Sequence, residues 1–482
     1  MSTISNYNFD NESIIREELK SKPLERIASL DFQRGLAIFI MVFIHSASNI
    51  IDSSYIVNDP SIIGEMPIYI IVVLAFLAFF GMWNSYFLLI STTVNSYTMS
   101  KGAIQGRDLK KILLKQLLSG IALLVIHTFQ NSFLAKGYLG IALETGDWTN
   151  TYPLWRGFFS MGTLRIIGYC TIVNSILLFF LLKKEGYKKF YRNIIILGSL
   201  ALIVIVSSEF INNWVDSLNW IQPDVLPVGV TLPDNVWWPN EDFQALNYSV
   251  KSWFCTIISG DIEPLLPFLA SGLIGGIIGL CLAQPEKIKR MNLYGSIFGL
   301  VCLSLGAVLI FLGFFTFGTS RPPIGNYLVM LGGQLCVFFL LFYLVEYRGN
   351  AQKFGNNRIV KHFRLWGMIS LTLFALDILD IVPRILFGLL YNLFSSVDIN
   401  TIPGKVFGSG QEHFALIYAL FAILFYELLI YLWSKVNFYL SIEWIIIQVI
   451  GKLTKDPSKR LDVKMVLNEV KWIQYSSKPV PS

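Results

Sequence analysis

Two ionisable residues in an otherwise apolar run set the question that this sequence poses. In "LDFQRGLAIFIMVFIHSASNII", Leu30 to Ile51, Arg34 stands at the foot of the run and His45 follows eleven residues later. Eleven residues are about three turns of an α-helix, so both side chains fall on one stripe, separated by about 16 Å of rise. A planar guanidinium pairs bidentately with phosphate oxygens. An imidazole, whose pKa lies near working pH, can take a proton from a hydroxyl or amine nucleophile. The pair suits a phosphate-bearing donor that brings its reactive end to the histidine, and an acyl thioester of coenzyme A has that shape. Asp31, three residues before Arg34, reaches it as an i,i+3 partner if the helix begins that early. Each residue also has an ordinary explanation: an arginine at a membrane edge snorkels to the headgroups, and a mid-bilayer histidine stays neutral, bonded to a neighbouring helix.

The elements that must position these residues are membrane helices. The chain has 482 residues, 54% of them hydrophobic and only 15% charged, with a mean hydropathy of +0.57. That is more apolar surface than one globular core covers, so the chain is expected to be a polytopic membrane protein with the lipid bilayer as its partner. Apolar stretches near 35–51, 67–94, 112–134, 162–182, 193–211, 264–283, 293–317, 327–346, 366–394 and 414–433 are mostly of the length that spans about 30 Å of hydrocarbon. The fold class expected is all-α, a bundle of ten spans. Lysines and arginines outside the spans fall 30 on one side and 5 on the other. By the positive-inside rule both termini are cytoplasmic. The net charge of +6 is accounted for by topology, so it gives no reason to expect a nucleic acid partner. The expected organisation is a cytoplasmic arm (1–34), a transmembrane unit (35–433) with an external connection at 212–263, and an interfacial helix with a basic, solvated tail (434–482). The first thirty residues lack a short apolar core with a cleavage site, so the first helix is expected to act as the insertion signal. A cell membrane is the expected location.

The five cysteines show no C-x-x-C spacing and mostly lie in apolar stretches, which indicates neither a disulfide framework nor a zinc site. No phosphate-cradling loop, H-E-x-x-H helix or nucleophile elbow is present. The external connection holds Trp214, Trp220, Trp237, Trp238 and Trp253, either as an interfacial belt or as a platform that stacks on sugars. His127, Arg165 and Glu209 fall in the outer halves of their spans. They suit an external acceptor pocket or, for His127 and Arg165, hydrogen bonds between helices. Asp377, Asp380 and Arg384 share the ninth stretch, where i,i+4 spacing makes Asp380 and Arg384 a structural ion pair. Glu412 and His413 read as an exposed cap. "GLIGGIIG", with Gly272, Gly275, Gly276 and Gly279, reads as close helix packing.

"RIASLDFQRGLAIFIMVFIH" resembles the opening signature of the transmembrane acyltransferase superfamily, a leucine-aspartate-x-x-arginine-glycine run followed ten residues later by histidine. Its members include acyltransferase family three, the heparan-alpha-glucosaminide N-acetyltransferases and the YeiB-like membrane proteins. The histidine is similar to the first branch, since the other two commonly have asparagine there. "MWNSYFLLISTTVNSYTMSKG", "GIALLVIHTFQ", "GTLRIIGYCTI" and "WGMISLTLFALDILDIV", with the later "SIEW", resemble the YeiB-like branch. Ser441 and Ile442 depart from that branch's proline-glutamate-tryptophan ending.

The resemblance implies that Arg34 and Asp31 serve acyl-CoA binding and that His45 is catalytic. It also implies an acyl group, by preference acetyl, moved from cytoplasmic acyl-CoA to a hydroxyl or amine of an external sugar or lipid-linked glycan. Acyl-CoA is then a co-substrate, with no permanently bound cofactor or metal. The rival expectation is a secondary transporter or flippase relaying protons through Asp377, Asp380, Glu209 and the histidines. A third is a scaffold that has lost the chemistry.

Overall fold

The computed structural model describes residues 25–51, 67–81, 84–134, 137–149, 151–218, 249–260, 263–284, 288, 290–314, 321–394, 412–456 and 461–473. The described chain is α-helical, and no strand is present among the described residues. The first part holds α1 (Ala28–Ile50), α2 (Ile68–Gly81), α3 (Asn84–Ile104), α4 (Leu109–Phe133), α5 (Tyr138–Thr145), α6 (Tyr152–Phe159), α7 (Thr163–Leu182) and α8 (Phe190–Asp216). There follow α9 (Val250–Ser259), α10 (Leu265–Leu282), α11 (Met291–Phe311), α12 (Ile324–Phe342), α13 (Ala351–Asn356), α14 (Arg358–Met368), α15 (Ser370–Ala375) and α16 (Ile381–Phe394). The chain continues through α17 (Glu412–Ser434), α18 (Ile442–Thr454) and α19 (Val463–Asn468).

Eight helices among the described residues are long and apolar enough to cross a membrane, so the chain is a polytopic helix bundle. The second and ninth of the expected ten stretches are not among these eight. The second holds α2 and α3 on either side of residues 82 and 83, which lie outside the described residues, and α3 is rich in Ser and Thr that it buries inside the bundle. The ninth breaks around Ile369 and again at Leu376, so α14, α15, a 3₁₀ turn at Asp377–Asp380 and α16 replace one rod.

The glycine run explains the centre of the bundle. A Cβ on Gly275 would lie 2.1 Å from Thr92 Oγ1, and one on Gly279 would lie 2.6 Å from Thr93 O, so α10 and α3 meet backbone to backbone as close packing requires. In α10, 78% of the apolar window is buried, against 17% in α8 and α11, which places the latter two at the lipid-facing rim. Hydrogen bonds from Tyr86 Oη to Gln33, and from Ser85 Oγ to Gln334 Oε1 at 2.9 Å, tie α3 to α1 and α12.

Three expected boundaries move. The first helix begins at Ala28 and not at residue 35, so Asp31 and Arg34 are helical. Described residues 461–473 are not a solvated arm. Arg26 N donates to Lys471 O and Ile473 N to Arg26 O, both at 2.9 Å, while Trp472 lies buried under the Arg364 guanidinium, 4.5 Å from the ring centroid. The helix after Trp444 is α18, and it does not lie flat at an interface. Its start is bonded to residues 371 and 372, while Asp456, just past its end, pairs with Lys115 near the start of α4. Because α4 crosses the membrane, α18 runs antiparallel beside it.

Candidate functional site

The α1 N-terminus is built to hold Arg34. Glu346 Oε1 accepts the Ser29 N–H at 2.8 Å, satisfying one of the free donors of the first turn. Asp31 pairs with Arg26 at 2.8 Å and with Arg34 at 3.8 Å, which meets the i,i+3 expectation. Gly35 has no room for a side chain: a Cβ there would lie 1.7 Å from Phe363 O. The close approach sets Gly367 of α14 against the Arg34 side chain, 3.4 Å from Nε for a Cβ built at that glycine.

Arg34 lines a cavity of about 250 Å³ inside the bundle, together with Ile38, Phe87, Ser91, Asn95, Ser119, Thr163, Thr171, Ser370 and Glu443. The Arg34 Nε is buried and has no hydrogen-bond partner among the described residues. A guanidinium with unused donor capacity, facing hydroxyls and an amide, can take an acceptor such as a phosphate or carbonyl oxygen.

Glu443 is the site residue that the sequence reading missed. It lies in the first turn of α18 and accepts N–H groups of Leu371 at 2.6 Å and Thr372 at 3.1 Å, and the Thr372 hydroxyl. It thereby closes the backbone break where α14 gives way to α15. The signal was an acid inside the "SIEWIII" run, an ionisable group that lipid penalises.

His45 is half-buried on α1, and its ring makes no hydrogen bond among the described residues. It does not line the Arg34 cavity. Between the two, Ile38 and Val42 pack with Trp366, Phe87, Phe374 and Leu379. The structure therefore does not bring Arg34 and His45 into one open passage. Around His45, Ser46 Oγ donates to Asp380 Oδ1 at 2.8 Å and Asn49 Nδ2 to Asp380 Oδ2 at 3.3 Å. Arg384 pairs with the same carboxylate at 3.5 Å, so the structural ion pair is present and also clamps α1 to the broken ninth segment.

His127 and Arg165 come together, and Glu209 does not join them. Arg165 donates to Gly157 O and Phe158 O, both at 3.0 Å, to Thr128 Oγ1 at 2.8 Å and to Ser160 O. These carbonyls are the end of α6, so the guanidinium serves as its C-terminal cap. His127 Nε2 lies 3.3 Å from Ser160 Oγ. Glu209 instead accepts the Ile324 N–H at 2.8 Å, capping α12. Arg165 also lines an outer groove of about 620 Å³ with Thr128, Tyr169 and Trp253. Trp214 is 55% exposed, while Trp220, Trp237 and Trp238 lie outside the described residues.

The five cysteines are free, and no group of three His, Cys, Asp or Glu among the described residues could hold a metal ion. No protein-family model matches the chain, and no curated protein is similar to it.

Proposed function

We propose that this chain is an integral-membrane acyltransferase that moves an acyl group from acyl-CoA, bound on the cytoplasmic side, to a hydroxyl or amine of a sugar or lipid-linked acceptor. One observation carries the reading: Arg34, a buried cation whose guanidinium makes no hydrogen bond among the described residues, lines a cavity within the bundle that mixes apolar side chains with hydroxyls and an amide. A cavity of about 250 Å³ is too small for a whole coenzyme but accepts an acyl group with part of its thiol arm. Arg34 then binds a phosphate or carbonyl oxygen of the donor, and Asp31 orients Arg34.

In the reaction, His45 takes the proton of the acceptor O–H or N–H as that atom bonds to the thioester carbonyl carbon. The carbon–sulfur bond breaks, and the leaving thiolate takes the proton back from the imidazolium. Because the cavity ends below His45, this reading requires the Ile38, Phe87 and Phe374 side chains to part when donor and acceptor are bound. Replacement of His45 with Ala is expected to reduce transfer of labelled acetyl from acetyl-CoA in membranes by about a hundredfold or more. Undiminished transfer by a folded His45→Ala variant overturns it.

A secondary transporter is the second reading, supported by the broken ninth segment, since interrupted helices line substrate paths in many transporters. Substrate flux in proteoliposomes without any acyl-CoA, and no acetyl transfer, would favour it.

A further inference from the structure

The α4 and α18 helices enclose a groove of about 530 Å³ whose lining is almost wholly apolar, including Leu118, Ala122 and Phe129 from α4 and Ile442, Val449 and Leu453 from α18. Its outer side is open, as Phe129 (52%), Val449 (50%) and Leu453 (61%) are exposed. From Ile442 to Leu453 the helix rises about 16 Å, close to half of a bilayer's roughly 30 Å hydrocarbon thickness. The groove therefore has the depth of one leaflet.

Its open end is charged. Lys111 and Lys115 continue the stripe of Leu118, Ala122 and Phe129 at intervals of three and four residues, so they stand on the same face of α4 just past the apolar lining. Lys452 lies beside Leu453 at the matching end of α18, and Arg107 is close enough to act on Asp456. Against Lys111, Lys115 and Lys452 stand two acids among the described residues: Asp456, 3.9 Å from Lys111 and bonded to Lys115, and Asp108, whose carboxylate is engaged in capping the α4 N-terminus. Lys111 and Lys115 hold the Asp456 carboxyl below the usual carboxylate range, the Lys115 hydrogen bond contributing most. An apolar trough of one leaflet's depth, ending in a surplus of cations on the lysine-rich side, matches one molecule.

We propose that the α4–α18 groove is a binding site for an anionic phospholipid of the cytoplasmic leaflet, with an acyl chain along the groove and the phosphate at Lys111, Lys115 and Lys452. This site is independent of the acyl-transfer reading, although Ile446 lines both the groove and the Arg34 cavity, so a bound chain packs against the cavity wall.

The test uses the full chain purified in detergent. Retention of added phosphatidylglycerol is compared with that of phosphatidylcholine by native mass spectrometry. The wild-type chain is expected to retain phosphatidylglycerol preferentially, and Lys111→Gln with Lys115→Gln to weaken that retention by about tenfold or more, from about 1 kcal/mol per basic residue near an anionic lipid. Ala122→Trp, which fills the trough, is expected to abolish it while leaving thermal unfolding in phosphatidylcholine unchanged. Asp456→Asn separates lipid binding from a purely structural salt bridge: it frees the lysines and is expected to strengthen retention. Equal retention of the two lipids overturns the proposal, as does weaker retention in Asp456→Asn. A dimer that Ala122→Trp dissolves, with no lipid adduct, also overturns it by assigning the groove to a second copy.

Discussion

Arg34 and Arg165 are both arginines enclosed by the bundle, yet their surroundings use them differently. Around Arg165, three carbonyls at the end of α6 and a hydroxyl of α4 take up the guanidinium, so the cation completes a piece of backbone. Around Arg34, one carboxylate stands at 3.8 Å, and that carboxylate has a nearer partner in Arg26. The Arg34 guanidinium makes no hydrogen bond among the described residues, and Arg34 lines a cavity. Polar capacity that the fold consumes is structural, whereas capacity left over beside a cavity is available to a ligand.

The comparison breaks if the two arginines respond alike to mutation. Arg165→Ala leaves several carbonyls buried without donors and is expected to cost about 3 kcal/mol, read as a lowered midpoint of thermal unfolding in detergent. Arg34→Gln leaves Asp31 its closer partner and is expected to cost about 1 kcal/mol or less while weakening any acyl-CoA-dependent activity. A stable Arg165→Ala protein with lost activity, beside an unstable Arg34→Gln protein, would reverse the assignment of roles.

A smaller effect is expected at the outer end of α1. Asp380→Ala removes the acceptor shared by Ser46, Asn49 and Arg384, with an expected cost of about 2 kcal/mol. Hydrogen exchange should then rise in residues 42–50 and not in residues 28–36, because only the outer half of α1 depends on this carboxylate. Uniform exchange along the helix would show that Asp380 does not anchor the His45 segment.

The sequence made α1 legible because its charges sit alone in apolar surroundings: Asp31 and Arg34 lie one helical turn apart, and the pairing follows from spacing. The Asp380–Arg384 pair and the glycine packing were legible for the same reason, being local in sequence or set by the absence of a side chain. Glu443 was not, since its partners Leu371 and Thr372 lie some seventy residues away and exist only because the ninth segment breaks. In 366–394 the acids Asp377 and Asp380 and Pro383 mark the second break, but no proline or acid stands beside Ile369 to announce the first, which a distant carboxylate stabilises. The separation of His45 from Arg34 was equally hidden: helical periodicity gives a shared stripe, but which neighbours fill the space between, here Phe87 and Trp366, is a tertiary fact.

The smallest effect concerns His362 on α14, whose Nε2 lies 2.9 Å from Glu427 Oε1 on α17, the same oxygen that accepts the Trp366 indole N–H at 3.0 Å. The hydrogen bond to Glu427 raises the His362 pKa above its ordinary 6.5, against a smaller opposing effect of burial. A histidine whose pKa rises on folding holds its proton more tightly in the folded chain. Its contribution is therefore complete below the unfolded pKa and is lost as pH climbs through the folded value. The side chain is 42% exposed, so screening keeps the contribution below about 1 kcal/mol. Unfolding midpoints of the wild-type chain should fall slightly from pH 6 to pH 8, and His362→Gln should remove that slope. If His362→Gln keeps the slope, the sensitivity arises elsewhere and the α14–α17 contact is held by the Trp366–Glu427 bond alone.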